Sequence, residues 1–215
     1  MVLHGSGRQL NLDLLTMTEH LWDLTANDLA RKIADGEVSS LEVIDAHLGR
    51  IEEVNGWLNA VTRVLADEAR AAAEDADKAV AAGDELGPLH GVPCTIKENI
   101  DVAGTATTQG LPVFADLISS VDAPLVERLR VAGAIPIGRT NLPELGLRIS
   151  TDNPLHGLTR NPWHPERTAG GSSGGEGSAI ASGMSPLGLG NDIGGSVRNP
   201  AYCCGITSIK PTHGR

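Results

Sequence analysis

From Thr168 to Pro200 the chain reads T-A-G-G-S-S-G-G-E-G-S-A-I-A-S-G-M-S-P-L-G-L-G-N-D-I-G-G-S-V-R-N-P, two glycine- and serine-rich turns separated by an apolar run. Few folds accommodate such a stretch, because glycine at this density marks backbone that is forced to positive φ or brought against another group. Gly170, Gly171, Gly174, Gly175 and Gly177 crowd the first turn, and Gly194 and Gly195 form the second. Each turn holds a hydroxyl, Ser172 and Ser196, and the stretch from Gly177 to Asp192 has room for a short helix and a strand. Such a unit would bring the second turn back toward the first.

The rest of the chain reads as a scaffold for these turns. Thr25 is a candidate N-cap for a helix that runs through Asp35 and stops at Gly36. Ser39 and Glu42 form a capping box for a second helix, with Leu41, Ile44, Leu48 and Ile51 on one face and an end near Asn55-Gly56. An extended stretch from Leu58 to Val64 precedes an alanine-rich helix from Ala66 to Ala82. Val92, Cys94 and Ile96 then alternate with Thr95 and Lys97 as in a strand. A helix from about Ala123 to Ala132 is predicted to turn Leu125, Val126 and Leu129 inward, and Ala134 to Gly138 follows as a short strand. Beyond the first glycine turn the pattern predicts a helix, a strand from Pro186 to Gly190, a helix from about Gly195 to Cys203 and a strand from Ile206 to Ile209. This β-α-β rhythm predicts an α/β fold in which a mixed, largely parallel sheet lies between helices. Residues 1–23 read as a partly disordered N-terminal extension. The chain closes on K-P-T-H-G-R just after a strand has been laid down, so residues 24–215 are expected to be the N-terminal portion of a single, longer domain.

Composition removes several classes of function. A net charge of −10 and an aromatic content of 2% give neither the basic surface nor the stacking platforms of a nucleic-acid binder, and the charge also disfavours an anionic membrane. No apolar run approaches the roughly 18 residues of a membrane span, and Met1 to Leu15 lacks the pattern of a signal peptide, so a cytoplasmic location is expected. Cys94, Cys203 and Cys204 have no C-x-x-C spacing and read as small buried residues.

The spacing of the glycines narrows the chemistry. No lysine follows them as in a phosphate-binding Walker loop, and Ile193 occupies the place where a dinucleotide fingerprint after Gly188-x-Gly190 needs its third glycine. Gly170-x-Ser172-x-Gly174 matches a nucleophile elbow, but N-P-W-H-P-E-R-T ahead of it is not the strand that motif requires. The histidines lack paired helical spacing and none stands in a glycine turn, so neither a metal site nor a Ser-His-Asp triad is indicated. Serine with lysine remains. Read alone, Lys97 is a strand-end lysine reaching solvent, Ser172 a turn former and Ser196 a helix N-cap. Read together, a buried Lys97 would lose its charge by desolvation and could take a proton from a serine hydroxyl.

G-V-P-C-T-I-K-E-N, G-G-S-S-G-G-E-G, G-N-D-I-G-G-S-V-R-N-P and the closing G-I-T-S-I-K-P-T-H-G-R, in that order, resemble the amidase signature family from about Leu24 to Arg215. The resemblance implies that Ser196 is the nucleophile, Lys97 the general base and Ser172 a bridging serine preceded by a cis peptide bond. It further implies an oxyanion hole from the backbone N–H groups of Ile193, Gly194 and Gly195, and no metal or cofactor. The expected partner is a small-molecule amide, with no direct nucleic-acid or membrane contact and room for a homodimer. Asp192 and Arg198 are expected to pair and shape the nucleophile turn. Asn191 stands where the family commonly has Thr or Ser, and Ala169 where Pro or Gly is usual; neither is expected to touch the relay. Family members extend well past Arg215 and build much of the acyl pocket there, so the substrate is not legible. Two alternatives accompany amide hydrolysis: the glutamine-hydrolysing subunit of a tRNA-dependent amidotransferase, and an inactive fragment that keeps the motifs without the pocket.

Overall fold

The computed structural model describes residues 20–214. Most of the predicted N-terminal extension lies outside these residues, but Leu21–Asp23 forms a 3₁₀ turn, and the guanidinium of Arg50 stacks over Trp22 at 4.2 Å.

Helix α1 (Ala26–Ala34) begins at Thr25, whose hydroxyl accepts from the Asp28 N–H, and ends before Gly36 in the left-handed region. Helix α2 (Ser40–Leu58) opens on the predicted capping box of Ser39 and Glu42. It runs past Asn55-Gly56 and ends at Asn59, which adopts the left-handed conformation itself. The Asn55 side chain stays within the helix and accepts from the N–H groups of Ala60 and Val61, so the asparagine that looked like a stop signal instead shapes the exit. Strand β1 (Val61–Val64) and helix α3 (Ala66–Ala82) follow, then β2 (Pro93–Lys97), α4 (Pro124–Val131) and β3 (Ile135–Thr140). Helix α5 (Gly174–Ala181), strand β4 (Gly188–Leu189) and helix α6 (Arg198–Cys204) complete the described order.

The sheet runs β1-β3-β2-β4, with β2 parallel to β3 and β4 and with β1 antiparallel to β3. It is the mixed, largely parallel sheet that the pattern predicts. Strand β2 is buried on both faces: Cys94 and Ile96 pack with Val126 of α4, whereas Thr95 and Lys97 face α5. The alternation therefore separates an apolar face from a polar one that is equally dry. Pro136 sits inside the interior strand β3, which is tolerated because β1 pairs only from Gly138 onward and β3 itself bulges just after the proline, where Ile137 has no register partner on β2. A second core joins α2, α3, β1 and β3 through Ile44, Leu48, Ile51, Val61, Ala69 and Ile137.

Three local expectations are corrected. Leu125 on α4 is half exposed, and Val126, with Leu129 partly buried, holds the helix to the core. Helix α6 begins at Arg198, so Ser196 lies in the turn before it and is not its N-cap. No strand forms from Ile206 to Ile209: the Ile206 N–H closes α6 on the Ala201 carbonyl, and the next residues pair with no strand among the described residues.

Candidate active site

Lys97, the last residue of β2, is fully buried. Its Nζ donates to Ser172 Oγ at 2.6 Å and to Asn191 Oδ1 at 2.8 Å. Burial pushes the ammonium down to about 8, against the opposing pull of the Glu176 and Asp192 carboxylates. The reading in which this strand-end lysine reaches solvent is thereby excluded.

Ser172 lies at the mouth of α5, and the Gly171–Ser172 peptide bond is cis. The glycines around it serve contacts within the protein: a side chain at Gly171 would overlap the Arg148 carbonyl, and one at Gly175 the backbone of Asn141. The first turn is therefore packed, and its serine is held between β2 and the 3₁₀ turn Glu144–Gly146, where a Cβ on Gly146 would come within 3.4 Å of Ser172 Oγ.

The two glycine turns meet as their spacing predicts, through a hydrogen bond of 3.0 Å from the Ser173 N–H to the Ser196 carbonyl. Ser196 is half-buried beside it. No hydrogen bond joins Ser172 Oγ to Ser196 Oγ among the described residues. Asp192 shapes the second glycine turn as expected: Arg198 grips it at 2.9 and 3.0 Å, and it accepts from the N–H groups of Gly195, Val197 and Arg198. These donors hold its carboxyl well below the usual carboxylate range. The Gly195 N–H is thus occupied at 2.7 Å, whereas no hydrogen bond among the described residues takes the N–H groups of Ile193 and Gly194.

Asn191 corrects the expectation placed on it. Its amide oxygen touches the lysine, and its amide nitrogen donates to Asn99 Oδ1 at 3.1 Å, so this departure from the family pattern sits inside the site. Two further residues escaped the sequence reading. Arg139, buried in β3, donates from Nη2 to the carbonyls of Glu98 and Ile100 at 3.1 and 2.6 Å and fixes the turn that follows Lys97. Glu176, buried in the first turn of α5, accepts from Thr95 Oγ1 at 2.6 Å and Thr140 Oγ1 at 2.7 Å. A lone charged residue within an otherwise apolar or glycine-rich run was the available signal for both. Among the described residues no group of three or more His, Cys, Asp or Glu side chains is placed to hold a metal, and no helix is long and apolar enough to cross a membrane.

The family model for amidases matches residues 42–215. The chain belongs to the amidase signature family. Within that family it is 54% identical over 195 residues to an indoleacetamide hydrolase of Bradyrhizobium diazoefficiens, covering 91% of this chain and 37% of the relative. It is 42% identical over 193 residues to a glutamyl-tRNA(Gln) amidotransferase subunit of a Synechococcus strain, covering 90% of this chain and 39% of that one. Among solved amidase signature structures, the peptide amidase of Stenotrophomonas maltophilia superposes with a TM-score of 0.79 at 34% identity, over 83% of this chain and 38% of that one. The chain thus spans about two fifths of the length of these relatives.

Proposed function

We propose that this chain supplies the reacting residues of an amide hydrolase, with Ser196 as nucleophile, Ser172 as proton bridge and Lys97 as base. The observation that carries this reading is the buried lysine, drawn toward neutrality and bonded to a serine whose turn is joined to that of Ser196. Neutral Lys97 takes the proton of Ser172 while Ser172 takes that of Ser196, and Ser196 Oγ attacks the amide carbon. Ser196 Oγ turns toward Ser172 in this step; such contacts are commonly looser before substrate binds. The tetrahedral oxyanion falls to the N–H groups of Ile193 and Gly194, each donor contributing about 3 kcal/mol in comparable sites. For Gly195 to join them, its bond to Asp192 must open. The lysine proton returns through Ser172 to the leaving nitrogen, amine or ammonia departs, and water attacks the acyl ester by the same relay in reverse.

The substrate class follows from what surrounds Ser172. Leu147 and Ile149 are 79% and 77% exposed on the segment whose Gly146 lies against it, which suits an apolar acyl group. The name of the indoleacetamide hydrolase relative accords with that. The likeness to amidotransferase subunits supports a second reading, glutamine hydrolysis within a larger complex, for which co-purifying partner proteins are the discriminating observation.

A fluorophosphonate probe tests the assignment. Labelling at pH 8 is expected to vanish in Ser196→Ala and to fall about 100-fold or more in Lys97→Ala. Labelling that survives Ser196→Ala would overturn the choice of nucleophile.

A further inference from the structure

Thr95, Lys97 and Thr140 share one face of the sheet: Thr95 precedes Lys97 by one alternation of β2, and Thr140 is the register partner of Lys97 on β3. Helix α5 lies on that face, and its Glu176 reaches down to accept from both threonine hydroxyls. The carboxylate fits there because β4 carries glycine at position 188, where any Cβ would overlap Glu176 Oε2. Three strands are thus shaped around one side chain, which stands one helical turn beyond Ser172. Lys97 itself makes no bond to Glu176; its Nζ is spent on Ser172 and Asn191.

A buried acid with two donated hydrogen bonds, at a helix N-terminus and close to a buried lysine, is more than packing. Burial pushes its carboxyl up to about 7, the two hydroxyls and the helix end pull the other way and favour the ionised form, and once ionised in a dry site it raises the proton affinity of any amine nearby. We propose that Glu176 is a positioning residue for the lysine: it ties α5, and so Ser172, to the strands that carry Lys97, and its charge sets how readily Lys97 takes up a proton. The proposal rests on the reading of Lys97 as base. Other charges facing the pair are accounted for. Asp192 attracts the Lys97 charge but is clamped by Arg198, and Arg139, whose guanidinium is spent on the turn after Lys97, attracts the Glu176 charge from the other face of β3. Glu98, next in the chain, is turned to Thr62 and His156, and the buried Cys94 thiol is pushed up to about 12 and stays neutral.

The test reads the lysine directly, independently of any turnover. The lysines are Lys32, Lys78, Lys97 and Lys210, so the Cε signals of a ¹³C-lysine-labelled chain can be assigned with Lys97→Arg and followed against pH. In Glu176→Gln, which keeps shape and removes charge, the Lys97 midpoint is expected to fall by about one pH unit relative to wild type. Thr140→Val, which removes one donor and leaves the acid, is expected to move it the same way by less, and it serves if the first variant fails to fold. Glu176→Asp keeps the charge but shortens the reach; Lys97 is expected to stay nearer its wild-type midpoint while fluorophosphonate labelling slows about tenfold. Coincident Lys97 midpoints in wild type and in the folded charge-removing variants would overturn the proposal while leaving the relay intact. Loss of the relay reading has a separate signature, labelling that persists in Ser196→Ala.

Discussion

At the scale of residues, the site turns on what Lys97 touches. The Asn191 amide oxygen can only accept, so it engages an N–H of Lys97; in the proposed relay, where the amine is neutral and its bond with Ser172 reverses direction, this leaves the lone pair free for the Ser172 proton. Asn99 fixes the amide by accepting from its nitrogen. Replacing Asn191 with Leu removes this acceptor from a buried donor, and labelling by a fluorophosphonate is expected to slow about tenfold, the order of one lost hydrogen bond to a charged or reacting group. The pH dependence has a definite sign. In the proposed role of base Lys97 works only when neutral, and burial pushes its ammonium down to about 8, so labelling is expected to rise as pH passes from 6 to 9 and level off above it. A rate that falls over this interval would mean that Lys97 acts as an acid in the step observed.

At the scale of elements, the two glycine turns are assembled by helix α5 and strand β4, and the tight point is Gly188. Gly188→Ala is expected to cost about 1–3 kcal/mol, because the methyl must displace a buried carboxylate with two hydrogen bonds; thermal or urea melts of variant and parent give the number. The elements themselves were largely legible, since Thr25, Ser39 and Glu42 carry their signals locally, in the capping bonds each makes with its own turn. What escaped was decided at a distance. Asn55-Gly56 looks like an end until the Asn55 amide is seen bonded to the incoming strand. Ile206 to Ile209 has a strand's composition and no neighbour to pair with among the described residues. Within the site, Ser172 and Ser196 stood out because glycine and serine at that density are uncommon, and Lys97 because a lysine among apolar strand residues is rarely buried without a use. Arg139 and Glu176 did not, because their meaning lies in which strands pass beneath them. Asn191 was visible but misjudged: a residue that departs from a pattern need not stand outside the machinery.

At the scale of the molecule, several large apolar side chains stand on the surface. Leu147, Ile149, Trp163, Ile193 and Tyr202 are all mostly exposed, and among the described residues β4 pairs on one side only. A surface of this kind, next to an unpaired strand edge, favours association. The 215-residue chain is expected to elute as oligomers at micromolar concentration and to shift toward monomer when Leu147 and Ile149 are both changed to Ser. A monodisperse monomer in light scattering for the parent chain would count against this.

The turn that presents Ser196 is braced from within. Asp192 takes the N–H groups of Gly195, Val197 and Arg198 and is gripped by the Arg198 guanidinium, so every strut of that brace lies between residues 192 and 198. Reactivity and selectivity are therefore separable in descent. On the proposed reading, the surface around Leu147 and Ile149 can be remodelled for a new acyl group without disturbing the loop that carries Ser196, and a lineage can change its diet while inheriting its chemistry unaltered.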